Sequence, residues 1–198
     1  MWKLPSIVLG SALLMAACGG AADEEKEPVN GSGDPVVEEE GTAEPEVMAP
    51  VMNVDGEKIG SVTLTQGPSG VAMDIDVMGL EPGEHGMHFH ETGVCTAPDF
   101  KESAGGHFNP TDKKHGLENP EGHHAGDLEN LVADEEGNAK VTVTTDAVTL
   151  ESGKDNSLID EDGTALVIHE GPDDNVTDPA GDSGTPFACA EITSENMK

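Results

Sequence analysis

From about Val47 onward the chain is written in short alternating runs. Val62-Thr63-Leu64-Thr65 is followed by Gly67-Pro68-Ser69-Gly70, and beyond that Val71, Met73, Ile75 and Val77 alternate with Ala72, Asp74 and Asp76. Successive side chains of a strand point to opposite faces, so the pattern predicts a strand, a turn and a second strand, each with one buried face. Gly79-Leu80-Glu81-Pro82-Gly83 interrupts the second run, and a new one extends from Glu84 to Glu91. Asp134 to Asn138 reads as a glycine-containing turn before Val141-Thr142-Val143-Thr144, and Ala165 to His169 as a short apolar strand. Almost nothing recurs at helical period, so an all-β sandwich or barrel is the expected class. Between Glu91 and Asp127 lies a long stretch with little strand character. Loops of that length inside a compact domain are usually functional.

The chain ahead of this domain reads differently. Met1-Trp2-Lys3 precedes an apolar stretch from Ile7 to Ala17, which ends at Cys18-Gly19-Gly20. One positive residue, a short apolar run and small residues before a break form the pattern of a secretory signal, too short to span a membrane. Leu14-Met15-Ala16-Ala17-Cys18 is similar to a bacterial lipoprotein signal, in which cleavage leaves the cysteine as a lipidated amino terminus. Residues 1–18 are therefore expected to be a signal peptide. The mature protein would be exported, extracytoplasmic or periplasmic, and held at a membrane surface by acyl chains on Cys18. Residues 19–46 are expected to form an acidic flexible linker. From Ala21 to Glu46 there are ten acids opposed by Lys26 alone, and such a composition cannot offset the entropy of ordering. The domain proper is placed at 47–198.

Length and charge narrow the field further. At 198 residues there is room for one ordinary domain plus these segments. The net charge is -31, from 40 acidic and 9 basic residues, and all nine are lysines. Such a surface repels phosphate backbones and argues against a nucleic-acid partner. With Cys18 in the signal, Cys95 and Cys189 remain as an even pair in an exported domain, where a disulfide persists. Paired, they would close a loop worth about 4–5 kcal/mol by chain entropy; two free thiols are the alternative.

The eight histidines all fall between positions 85 and 169. His88 and His90 are two apart, so on a strand their rings share a face. His107, His115, His124 and Asp127 follow on the long loop, and His169 ends an apolar strand.

Gly86-Met87-His88-Phe89-His90-Glu91, Gly106-His107-Phe108-Asn109-Pro110, Lys114-His115-Gly116, His124-Ala125-Gly126-Asp127-Leu128 and Leu166-Val167-Ile168-His169-Glu170 resemble, in order, the metal-site motifs of the copper/zinc superoxide dismutases. The resemblance covers roughly Val47 to Ile192. It implies an eight-stranded Greek-key β-barrel, related to the immunoglobulin-like sandwich, with a long metal-binding loop and a channel loop. Carried over by position, it makes His88, His90, His107 and His169 the copper ligands, and four imidazoles suit copper. It makes His107, His115, His124 and Asp127 the zinc ligands, a set that suits a closed tetrahedral site. His107 then bridges the two metals and acts catalytically as a proton carrier. Asp173 matches a carboxylate that links a copper-ligand and a zinc-ligand histidine, and Cys95 and Cys189 match the family disulfide. His85 and His123 receive no ligand role.

The implied activity is dismutation of superoxide to oxygen and hydrogen peroxide. One departure stands out. The family's anion-guiding arginine lies three residues before the second disulfide cysteine, and here that position is Pro186. Asp173, Asp174, Asp178 and Asp182 on the channel-loop segment add further negative charge, so slowed substrate encounter is expected. Lys101, Lys113 and Lys114 are candidate substitutes, which nothing in the sequence places over the copper. The competing expectation is an extracytoplasmic protein that holds or delivers copper with little dismutase activity. Whether the chain is a monomer or a homodimer is left open.

Overall fold

The computed structural model describes residues 44–198. The signal segment 1–18, Cys18 and nearly all of the linker 19–46 lie outside the described residues. Nine strands run as β1 (Glu46–Asn53), β2 (Lys58–Gly67), β3 (Gly70–Val77), β4 (Gly83–His85), β5 (Met87–His90), β6 (Leu131–Ala133), β7 (Ala139–Thr145), β8 (Thr164–His169) and β9 (Pro186–Ile192). A five-residue helix, α1 (Phe100–Ala104), sits in the long loop. Seven strands form one antiparallel sheet in the order β5-β8-β9-β1-β2-β3-β7, and β4 pairs with β6 in a second.

The expected strand from Glu84 to Glu91 is divided between those two sheets. Gly86 donates its N–H to Gly171 O at 2.8 Å, which takes it out of the ladder and lets β4 pair with β6 while β5 pairs with β8. Counted as one bent strand, β4 and β5 give the eight-stranded arrangement that the resemblance implies. The neighbours β3–β7, β5–β8 and β9–β1 are far apart in sequence, the long return connections of a Greek key.

The alternation on β3 holds, with Val71, Met73, Ile75 and Val77 all buried. They join Val47, Ala49 and Val51 of β1 and Val62 and Leu64 of β2 in the main core. Strands β5 and β8 differ, because every residue on them is buried. Met87 and Phe89, with Leu166 and Ile168, belong to the main core. On the opposite face Ala165 and Val167 pack with Phe100 and Ala104 of α1 and with Cys189. In the antiparallel register His88 faces Val167 and His90 faces Ala165, so the two histidines lie on this outer, loop-covered face. Strand β5 thus spends alternate positions on the core and on chemistry.

Candidate metal centre

The edge of β5 away from β8 is paired by the long loop. Phe89 donates to Gly126 O and Phe108 donates to Phe89 O, both at 2.8 Å, Glu91 donates to Gly106 O at 2.9 Å, and Gly126 donates to Phe108 O at 2.9 Å. These bonds place His107 beside His90 and Asp127 beside His88. Gly126 must be glycine here, because a Cβ would collide with Phe89 O. Cys95 is disulfide-bonded to Cys189 with their Cα atoms 5.8 Å apart, fixing the start of the same loop to β9.

His88, His90, His107 and His169 converge, each offering one nitrogen within 4.8 Å of the others. The second nitrogen of each ring is engaged. His90 Nδ1 donates to Gly105 O at 2.9 Å and His169 Nδ1 to Gly184 O at 3.0 Å. His88 uses Nε2 on Asp173 Oδ2 at 2.5 Å, and His107 uses Nδ1 beside Asp127 Oδ1 at 3.0 Å. What remains is His88 Nδ1 and the Nε2 atoms of His90, His107 and His169, all buried and without a hydrogen-bond partner. Buried polar atoms are nearly always satisfied, so four orphaned lone pairs aimed at one place fit a cation. Burial, the leading cause, pushes His88 and His90 down to about 3 and His169 to about 4, and it lowers His107 as well. These nitrogens are therefore unprotonated donors at neutral pH.

The second cluster is built around a single carboxylate oxygen. Asp127 Oδ1 lies 3.0, 3.1 and 3.2 Å from the Nδ1 atoms of His107, His115 and His124, and the last is 3.3 Å from His107 Nδ1. Such separations match the edges of a tetrahedron whose bonds are about 2.0–2.1 Å, the zinc–nitrogen length. The ligand atoms that lie within 4.8 Å of one another here are those of His88, His107, His115 and Asp127; His124 joins through its contacts with Asp127 and His107, while His88 Nε2 is held by Asp173. Asp127 Oδ2 accepts from the N–H groups of Gly116 at 2.8 Å and His124 at 3.0 Å. Burial would raise the Asp127 carboxyl, but the hydrogen bonds from the three histidines outweigh it and hold it well below the usual range. For His115, burial works downward and is overcome by Asp127 and Asp173, which bring it up to about 9.

Asp173 joins the clusters, meeting His88 Nε2 at 2.5 Å and His115 Nε2 at 3.1 Å. Asn130 holds Asp173 by two 2.9 Å backbone contacts, and a side chain at Gly181, where φ is +62°, would strike the Asp173 carboxylate. Neither Asn130 nor Gly181 carried a signal in the sequence. His85 lies between His169 O at 2.7 Å and Glu81 O at 2.8 Å, while His123 contacts only the carbonyl of His124. Neither belongs to either cluster.

A cavity of about 160 Å³ opens onto the first cluster and is lined by His90, His107, His169, Lys101, Ala180 and Pro186 among others. Pro186, the first residue of β9, forms part of the wall. Among the described residues, no aspartate or glutamate lines this cavity, so the negative charge of the channel-loop segment does not reach its wall. Asp173 is buried against histidines, Asp174 accepts from Val176 and Thr177, and Asp178 is held by Lys114 at 2.7 Å and by the His115 N–H at 2.8 Å.

Residues 58–192 match the model of the family described as copper/zinc superoxide dismutase. A superoxide dismutase (Cu-Zn) 1 of Aquifex aeolicus is 53% identical over 145 residues, 73% of this chain and 85% of that protein. A superoxide dismutase-like protein, YojM, of Bacillus subtilis is 36% identical over the whole of both chains. Among solved structures, a SOD-like protein from Bacillus subtilis matches with a TM-score of 0.71 and 37% identity, over 73% of this chain and 97% of that one. A Cu/Zn superoxide dismutase from Brucella abortus matches at 0.60 and 29% identity, over 74% and 99%.

Proposed function

Because the chain belongs to the copper/zinc superoxide dismutase family, with copper and zinc as cofactors and superoxide as substrate, we propose that its two histidine clusters divide the metals between them and that superoxide is dismuted at the first. His88, His90, His107 and His169 would hold copper, and His107, His115, His124 and Asp127 would hold zinc. The observation that carries this reading is the set of four orphaned nitrogens converging beside a carboxylate-centred cluster that shares His107. Copper in that place would supply one-electron exchange, by which one superoxide is oxidised to oxygen and a second, taking up two protons, is reduced to hydrogen peroxide. The protein's own part is positional. Gly105 and Gly184 carbonyls fix the tautomers of His90 and His169, so that Nε2 of each points inward unprotonated. His107 is aimed at both clusters at once, with Nδ1 toward Asp127 and Nε2 toward the cavity. Its Nε2 is the atom placed to hold and return a proton during the cycle. Asp173 locks His88 and His115 against rotation.

Pro186 neither attracts an anion nor donates a hydrogen bond, and the net charge of -31 opposes approach of superoxide. Turnover is therefore real but slowed at the encounter step. The test is to load the purified protein with both metals and follow superoxide decay directly, with His107→Ala as control. Activity that depends on His107 supports the reading, and tight copper binding without activity opposes it. That last outcome would favour a protein that holds or delivers copper, a reading kept because the relative matched over its whole length is named only dismutase-like.

Residues 1–18 act as an export signal, and Cys18 carries the lipid that keeps the enzyme outside the cytoplasm at a membrane surface. Labelled fatty acid should enter the protein, and Cys18→Ala should abolish labelling and release the enzyme in soluble form.

A further inference from the structure

We propose that Lys101 is the anion-guiding residue of this chain, taking from helix α1 the place that Pro186 leaves empty on β9. The inference rests on the reading of the first cluster as the copper site. Among the described residues, Lys101 is the only lysine lining the cavity over His90, His107 and His169. Among the described residues, Lys114, Lys140, Lys154 and Lys198 each have a carboxylate within 4.0 Å, whereas Lys58, Lys101 and Lys113 have none, and of these three Lys101 alone lines the cavity. An ammonium free of any counter-ion, in a protein with 40 acids, keeps its full charge for an incoming anion.

The position of the residue is held from both sides. Phe100 and Ala104, flanking it on α1, are buried against Ala165, Val167 and Cys189. Asp99 caps the helix by accepting from the Glu102 N–H at 3.1 Å. The cavity wall complements this placement. It contains no carboxylate, and the nearby Asp178 is drawn off by Lys114 and the His115 N–H. Among the described residues the lining thus carries one cationic side chain, while Glu91 lies behind it with its carboxylate accepting from the Gly106 N–H at 3.1 Å.

The probe is azide, a small anion that binds an open copper(II) position and is read by its charge-transfer absorption, so dismutation need not be measured. Lys101→Gln should weaken azide binding to the copper- and zinc-loaded protein about fivefold at low salt. Lys101→Arg should restore it, and the gap should narrow as salt is added. Lys58→Gln removes the same charge from an exposed lysine on β2 and should leave azide affinity unchanged. Equal azide affinity in Lys101→Gln and the unsubstituted protein, or an equal loss in Lys58→Gln, overturns the proposal. If the loaded protein shows no dismutation, the reading of its function fails while the azide titration still decides the role of Lys101.

Discussion

The two histidine clusters share His107 and lie on the same face of β5, but they are prepared for a metal in different ways. In the first, four nitrogens point at one another with nothing to bond, and burial holds His88, His90 and His169 down to about 3–4. Asp173, bonded to His88 on the far side of its ring, offsets burial only in part, and one side opens to a cavity. In the second, three nitrogens surround Asp127 Oδ1, and two carboxylates raise His115 to about 9. The contrast shows how one scaffold makes one cluster open to a cavity and another centred on a carboxylate oxygen.

The largest effects should come from cutting one cluster and sparing the other. His169→Ala should reduce copper content and bring dismutation to background while zinc is retained, as measured by metal analysis of the purified variant. Asp127→Ala should do the converse for zinc. If either substitution emptied both sites equally, the two clusters would not be separate units. Asp173→Asn is the intermediate case, since it leaves every ligand in place but loosens His88 and His115 together. Zinc affinity should fall about 10–100-fold in a competition titration.

The metal-free protein should also display the contrast in its pH dependence. His88, His90 and His169 are lowered from 6.5, so their neutral forms favour the fold above pH 6.5, and that contribution is lost as pH falls toward about 3. His115 is raised, so its contribution is complete below 6.5 and lost as pH rises through about 9. Denaturant unfolding of the metal-free protein should therefore show greatest stability between these two windows, and zinc should remove the alkaline decline. The smallest effect is electrostatic. Raising ionic strength from about 0.01 to about 0.15 M should increase the dismutation rate about threefold, by screening the acidic surface. A rate that fell with salt would contradict slowed encounter.

The sequence disclosed the site more fully than the fold around it. His88 and His90 were legible because a two-residue period on a strand leaves no other geometry, and the alternation on β3 for the same reason. The division of the run at Gly86 was not, because it depends on a hydrogen bond to Gly171, 85 positions away. Strands β1, β6 and β9 were not singled out, and β6 is only three residues long. Helix α1 escaped notice because five residues are too few for a period to register; its anchors, Phe100 and Ala104, find partners only on β8 and β9. The four channel-loop aspartates were counted as negative charge that slows substrate encounter, with Asp173 also expected to link two histidines. Within the fold none of them lines the cavity, and three are occupied by histidines, backbone N–H groups or Lys114. Charge can be counted along a chain, but its direction is settled by tertiary hydrogen bonds.

The most direct test of the central claim is metal content and superoxide decay determined on a single purified sample as copper is titrated into zinc-loaded protein. We expect one zinc and one copper per chain, with activity rising in proportion to copper and reaching a plateau at one equivalent. A sample that took up no copper beside its zinc, or filled with copper while superoxide decayed at the uncatalysed rate, would contradict the account.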